Sequence, residues 1–298
     1  MLPVKILLFG SGGQVGWELQ RALSPLGNVV VANREKANFE HPDELASIVD
    51  AEAPGVIVNA VAYTAVDRAE TDGQRALLVN ATAVQSLAGA ALMKKALLIH
   101  YSTDYVYDGS KSNPYTENDP VNPLNVYGKT KSAGDEAIFA SGCDHLIFRT
   151  SWVHSSRGSN FVRTILRLAA ERTELAIVGD QLGAPTGAEM IADVTALAIA
   201  RHGSPLALRS GLYHLTSSGA TSWYEFARFI VSEANLHGCD LKARPEAIRP
   251  ISSTEFQAPA ARPRNSLMAT SKLSAALQIV FPDWTYHARR TISEVLKK

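Results

Sequence analysis

The sequence predicts an α/β fold: a doubly wound parallel sheet joined to a smaller, partly interleaved C-terminal domain. Three observations lead there. A short apolar run, Val4 to Phe9, passes through a glycine loop straight into a helical pattern. Short apolar runs and amphipathic stretches then alternate as far as Thr150, the pattern of a sheet covered by helices on both faces. Beyond Thr150 the spacing loosens, and isolated aromatics and arginines become frequent.

A chain of 298 residues can bury a sizeable core. Its formal net charge is zero and no long block of one sign occurs, which disfavours nucleic acid as a partner. Two cysteines, Cys143 and Cys239, lie far apart without metal-like spacing and read as free thiols of a reducing compartment. The opening apolar run is too short for a membrane span and leads into glycines instead of a cleavage site. The expectation is a soluble cytoplasmic protein with no targeting segment.

Val4 to Phe9 suits a buried strand and is too short for a core helix. Gly10, Gly13 and Gly16 follow at intervals of three, and Trp17 to Leu23 continues with helical apolar spacing. Strand, glycine loop and helix in this order form the opening of a Rossmann dinucleotide-binding fold. The glycines let the backbone turn tightly beside a pyrophosphate, whose charge the helix N-terminus favours. A second strand, Val29 to Ala32, ends at Asn33 and Arg34, where such folds read the adenosine ribose. An acidic residue there would hold the 2′-hydroxyl and disfavour a 2′-phosphate. With a neutral Asn33 and a cationic Arg34, both NADPH and NADH are expected to bind. Arg34 reads either as a 2′-phosphate ligand or as a solvated loop charge.

Asp43 to Ala51 has a helical pattern, and Val56 to Ala62 reads as a buried strand. Tyr63 and Thr64 stand at its carboxyl end, where ligands sit in such sheets. Arg75 to Lys94 reads as one alanine-rich helix containing Asn80, and Ala96 to Tyr101 as the next strand, delivering Ser102 and Thr103. Asp108 to Pro123 is a loop rich in Gly, Ser, Asn and Pro, Val126 to Ala140 a helix, and Leu146 to Arg149 a strand. We place a dinucleotide-binding domain at 1–150 and a mainly sugar-nucleotide-binding domain at 151–298. Some of the elements near 175–215 are expected to return to the main sheet. They comprise a strand at Leu175 to Val178, a tight loop to Thr186, a helix at Ala188 to Arg201 and a strand at Gly211 to Leu215. Phe161 to Arg172 and Trp223 to Ala234 read as helices, and the tail from Arg262 to Lys298 ends in another.

Tyr127 and Lys131 stand four apart, on one face if Tyr127 opens a helix. A free tyrosine has a pKa of about 10, so a tyrosine that gives and retakes a proton near neutrality needs its anion stabilised by roughly three units, about 4 kcal/mol. A fixed Lys131 charge and a hydrogen bond from Thr103 could supply that in a water-poor cleft. The spacing alone occurs often by chance; the glycine loop supplies a hydride donor that gives the proton a purpose.

With these motifs the chain resembles the extended short-chain dehydrogenase/reductase superfamily. Within it, the chain is similar to the branch that completes dTDP-L-rhamnose by ketone reduction. The likeness is carried by Gly13 to Leu19, His100 to Val106, Asn122 to Lys131, Phe148 to Trp152, Gln181 to Thr186 and Arg262 to Ser266. It implies reduction of the C4 ketone of dTDP-6-deoxy-L-lyxo-4-hexulose, with hydride from the nicotinamide, a proton from Tyr127, and Lys131 and Thr103 in support. It further implies cofactor contacts at Gly10, Gly13, Gln14, Val15, Gly16, Asn33, Arg34, Asn38, Phe39, Ala62, Tyr63, Thr64 and Tyr101, besides Tyr127 and Lys131. Thr103, Asp104, Trp152, Arg262 and Asn265 would meet the dTDP-keto-sugar, Arg262 by its guanidinium fork on the diphosphate. Glu18, Glu189 and Glu294 would join a Mg2+ ion at a homodimer interface.

Related 4,6-dehydratases resemble this chain but carry Thr-Asp-Glu, whereas here the string is Thr103-Asp104-Tyr105, so elimination lacks its base. Another nucleotide-sugar ketoreductase, an epimerase, or a non-catalytic nucleotide-binding regulatory subunit on the same fold remain alternatives.

Overall fold

The computed structural model describes residues 4–202 and 208–297; Lys298, the last residue of the expected terminal segment, lies outside them. Six parallel strands form the central sheet, ordered Gly211–His214, His145–Thr150, Leu97–Thr103, Val56–Asn59, Val4–Phe9 and Gly27–Ala32. Both faces are covered, which is why these strands read as continuous apolar runs. Along Val4–Phe9 the side chains alternate between two cores. Ile6 and Leu8 meet Leu19, Leu23, Ile191 and Val194, while Leu7 and Phe9 meet Leu45, Val49, Leu87 and Ala88. Each fully buried leucine or isoleucine contributes about 1.5–3 kcal/mol.

The segment 73–94 is not one helix. It runs as Gly73–Leu77, a π-helical turn Leu78–Thr82, and a helix Ala83–Lys94. The widened turn has a use. Asn80 sits in it fully buried, accepting from the Tyr63 amide at 2.8 Å and donating to Thr130 Oγ1 at 3.1 Å. Helix Val126–Ser141 passes so close that a Cβ at Gly134 would lie 2.2 Å from the Asn80 carbonyl oxygen. The segment is long and apolar enough to span a membrane by length and composition, yet its Val84, Leu87, Ala88 and Ala91 are buried in the core beneath the sheet.

Beyond Thr150, some elements of 175–215 return to the main sheet and others do not. Leu175–Val178 pairs with Ile248–Ile251 in a separate parallel ribbon, and Gly211–His214 is the part that joins the large sheet. The cause is visible in burial: Ala176 is exposed, so this strand has a wet face that the doubly covered sheet does not offer. Ala188–Arg201 packs on Gln14–Leu23. Helices Phe161–Glu171, Trp223–Leu236 and Trp284–Leu296 close a third core around Phe226, Ala227 and Ile230.

The strand expected over Val56 to Ala62 pairs only as far as Asn59, after which Ala60 donates one bond to the Phe9 carbonyl and the backbone leaves the sheet. A buried polar network fastens the helix Val126–Ser141 to the sheet. Asp135 accepts from Arg149 Nε at 3.2 Å, Arg149 Nη2 at 3.1 Å and Ser102 Oγ at 2.9 Å. Arg149 Nη1 donates to the Tyr107 hydroxyl, which lies 2.7 Å from His214 Nε2.

Two predictions follow from these buried groups. Arg149→Met strands the Asp135 carboxylate without its counter-charge and should lower unfolding stability by about 3–5 kcal/mol in denaturant titration. Burial also pushes the His154 and His214 imidazoles down to about 3. A depressed histidine supports stability above its unfolded pKa near 6.5 and loses that support as pH falls from there toward 3. Melting temperature should therefore drop steadily below pH 6.5, and His214→Gln should flatten that acid limb.

Candidate active site

The carboxyl ends of the central strands open onto a cleft of about 430 Å3. Its floor is the glycine loop. A Cβ at Gly10 would lie 2.6 Å from the Ala60 carbonyl carbon, and one at Gly16 would lie 2.0 Å from the Gly10 carbonyl oxygen, so neither position admits a side chain. Gly10 also has a φ of 82°, in the region that favours glycine. Of the sequence-derived cofactor residues, Gly10, Gly13, Asn33, Arg34, Asn38, Phe39, Ala62 and Tyr63 line this cleft.

The remaining cofactor residues lie elsewhere. Gln14 points toward the C-terminal part, where Oε1 accepts from Ser155 Oγ and Asn160 Nδ2. Val15 packs on the core, and Gly16 is buried where helix Gln14–Leu23 meets the loop. Thr64 is exposed. Tyr101 is buried with its hydroxyl 2.8 Å from Thr195 Oγ1.

Sequence reasoning missed Glu40 and Arg75, which line the same cleft. Glu40 Oε1 bridges Arg34 Nη2 at 3.1 Å and Arg75 Nη2 at 2.7 Å, and the Arg75 hydrogen bond leads in holding the Glu40 carboxyl below its ordinary value. Nothing local in the sequence marks Arg75, because only the fold brings its helix to Arg34. This end of the cleft carries two cations around one carboxylate, a donor set suited to a phosphate.

Thr103 ends strand Leu97–Thr103, and its hydroxyl accepts from the Tyr105 amide and donates to Asp104 Oδ1 at 3.0 Å. Asn125 caps the helix Val126–Ser141 by accepting from the Gly128 amide at 2.8 Å, which places Tyr127 in the first turn and Lys131 one turn on. A Cβ at Gly128 would lie 2.2 Å from the Tyr105 carbonyl oxygen, so only glycine lets this helix start against the sheet end. Tyr127 thereby meets Tyr105 edge to face, with ring centroids 6.0 Å apart.

Burial pushes the Tyr127 phenol above its usual value, a hydrogen bond with Thr103 offsets part of this, and Asp104 and Asp135 push the same way as burial. Burial also raises the Asp104 carboxyl to about 7. Lys131 is 1% exposed, donates to the Tyr101 carbonyl at 2.6 Å and lies 3.1 Å from His100 Nε2. Its burial lowers the ammonium to about 8, Asp135 acting in the opposite direction.

Arg262 grips Asp67 with both Nη atoms, at 2.9 and 2.8 Å, so its fork faces a carboxylate near Tyr105. Asn265 is occupied by backbone: Nδ2 donates to the Lys111 and Asn113 carbonyls and Oδ1 accepts from the Leu267 amide. Its side chain thus pins a loop instead of facing a ligand. Trp152 holds a φ of 46° and stacks on Trp223 at 3.4 Å. A Cβ at Gly183 would lie 2.4 Å from its indole, so the ring is fixed from both sides. Trp223 was not singled out from sequence; one aromatic in an amphipathic helix gives no signal.

Glu18, Glu189 and Glu294 do line one small cleft, with His154 and Thr291. They do not form an open carboxylate set within the chain. Glu189 Oε1 is taken by His287 Nδ1 at 2.5 Å and Arg290 Nε at 2.9 Å, and Glu18 pairs with Arg21. Among the described residues no group of three or more His, Cys, Asp or Glu is placed to hold a metal ion. Within the single chain, then, the three glutamates share a cleft, and Glu18 and Glu189 are already engaged by cationic or histidine side chains.

Comparison with known proteins agrees along the whole chain. Residues 4–297 match the family described as RmlD substrate binding domain. A dTDP-4-dehydrorhamnose reductase of Escherichia coli K12 is 46% identical over 300 residues, covering 98% of each chain. One from Burkholderia thailandensis is 47% identical over 298 residues, covering 99% of this chain and 100% of its own. The crystal structure of a Bacillus anthracis dTDP-4-dehydrorhamnose reductase in complex with NADP superposes with a TM-score of 0.89 at 32% identity, covering 98% of this chain and all of that one. Matched from first strand to last helix, the chain belongs to the dTDP-4-dehydrorhamnose reductase family of oxidoreductases.

Proposed function

We propose that the chain reduces the C4 ketone of dTDP-6-deoxy-L-lyxo-4-hexulose to give dTDP-L-rhamnose, using NADPH or NADH, with Tyr127 as the proton donor. The observation that carries this reading is the placement of Thr103, at the end of strand Leu97–Thr103, and Tyr127, in the first turn of helix Val126–Ser141, at the carboxyl end of the sheet that also carries the glycine loop. Gly10 and Gly13 leave room for a pyrophosphate, Arg34 and Arg75 suit the adenosine end, and the bound nicotinamide supplies the hydride.

The chain's own groups handle the proton. In the reductive direction the tyrosine must begin protonated and release its proton as charge develops on the ketone oxygen. A phenol raised by burial is the correct starting state, because it keeps the proton until that oxygen becomes the stronger base. Thr103 holds a hydroxyl beside the phenol, and Lys131 supplies the charge that stabilises the tyrosinate once the proton has left. A dehydratase would need a base in place of Tyr105. Burial raises that phenol as well, outweighing the opposing effect of Arg262 beside it, so it stays protonated and is no base for abstraction at C5.

The direct test is a coupled assay in which purified protein oxidises NADPH only with the dTDP-keto-sugar present, the product's C4 configuration being read by NMR. Cofactor binding without substrate-dependent oxidation would exclude the proposal. Tyr127→Phe should lower turnover by roughly 10²-fold or more with little change in cofactor affinity, the scale for a lost proton donor.

At the other end of the cleft, Arg34→Ala should weaken NADPH relative to NADH in a fluorescence titration. Glu40→Gln releases both arginines and should tighten NADPH more than NADH; equal effects on the two cofactors would show that neither residue reads the 2′-phosphate.

A further inference from the structure

Lys131 faces a histidine whose hydrogen bonds have only one consistent arrangement. The chain starts at Asn59, at the end of strand Val56–Asn59. The Val61 amide donates to Asn59 Oδ1 at 3.0 Å, which fixes the orientation of the side-chain amide. Asn59 Nδ2 is thereby turned toward His100 Nδ1, 3.1 Å away. An amide NH2 can only donate, so His100 Nδ1 accepts and carries no proton. The proton of the neutral ring then sits on Nε2, and that atom points at Lys131 Nζ.

An ammonium has three donors and no lone pair, so it would meet the Nε2–H head on. An amine has one lone pair to accept that proton and still has a hydrogen for the Tyr101 carbonyl. We propose that Asn59 and His100 together favour the amine form of Lys131 in the cofactor-free protein, so that it gives up its proton more readily than an ordinary lysine. His100 is thus a positioning residue that acts on the lysine's proton without touching reacting atoms.

From its own helix, Asp135 favours the ammonium, but Arg149 and Ser102 already donate to that carboxylate. Tyr127 lies one turn earlier and is held protonated. Asp104, beyond the strand end, is half neutralised by its own raised value of about 7. Strand Val56–Asn59 contributes the uncharged Asn59, and strand Leu97–Thr103 the fully buried His100, which burial keeps from charging. Removal of Lys131 from water acts in the same direction as the hydrogen-bond pattern.

The consequence bears on the proposed mechanism. The lysine charge that stabilises a tyrosinate is then lost at mildly alkaline pH, where an ordinary lysine would still carry it. The inference uses the reductase reading only for that consequence, since the protonation state is measurable without turnover.

The test is nuclear magnetic resonance on cofactor-free protein labelled with 15N at lysine Nζ and histidine, Lys131 being assigned by its loss in Lys131→Arg. Lys131 should titrate about two units below an ordinary lysine at about 10.4, and His100 should show the Nε2–H tautomer. Asn59→Asp reverses the chain: the carboxylate accepts from Nδ1–H, Nε2 becomes an acceptor, and the Lys131 midpoint should rise by at least about one unit, a tenfold gain in proton affinity. A wild-type midpoint near 10, an Nδ1–H tautomer, or an Asn59→Asp protein titrating like the parent overturns the proposal. If Asn59→Asp does not fold, the wild-type tautomer and midpoint decide it. Absence of reductase turnover would leave these readouts unchanged, so the two ideas fail separately.

Discussion

The buried pairing of Asp135 with Arg149 is the constraint on which the site depends. It joins the helix that carries Tyr127 and Lys131 to two adjacent sheet strands, with Ser102 adding a third bond to the same carboxylate oxygen. Removing two charges from water costs several kcal/mol per ion, and such a pair is tolerated when further hydrogen bonds satisfy it. Here Arg149 also reaches the Tyr107 hydroxyl, so the network runs on to His214 in the edge strand. What the arrangement secures is position. A helix gripped at Asp135 cannot slide along the sheet, and at Gly128 and Gly134 its backbone fits with no room to spare.

That constraint explains the division of labour at the site. The tyrosine is presented by the helix, whose start Asn125 fixes, and the threonine by the strand. Asn125 is itself tied to the distal chain through the Ala261 carbonyl at 2.7 Å. Tyr127 and Thr103 therefore sit between the large sheet and the C-terminal segment, while the glycine loop lines the cleft shared with Arg34, Glu40 and Arg75. The Glu40 bridge gives that opposite end an anion of its own, so a phosphate must compete with a carboxylate for the same guanidiniums.

Much of this was legible in the sequence, because the informative features are local. Buried parallel strands read as apolar runs, glycines at intervals of three mark the loop, and a tyrosine four residues before a lysine survives as spacing whatever the tertiary fold. The failures share one cause, namely partners distant in sequence. Arg75 and Glu40 meet Arg34 only through folding. Leu175–Val178 looks like any short strand until Ile248–Ile251 is found beside it. The π-helical turn at Asn80 is invisible to helical periodicity, since its reason is a hydrogen bond to Thr130 on another helix. Glu189 looked like an open ligand until His287 and Arg290 were seen to engage it.

The Gln14 side chain carries one more consequence. Its carboxamide oxygen takes a proton donor from Ser155 and another from Asn160, two groups in the segment leading into Phe161–Glu171, while its backbone opens the helix above the glycine loop. The same residue therefore belongs to the first helix by its main chain and to the distal region by its side chain, so that drawing the two regions apart would break both of these hydrogen bonds.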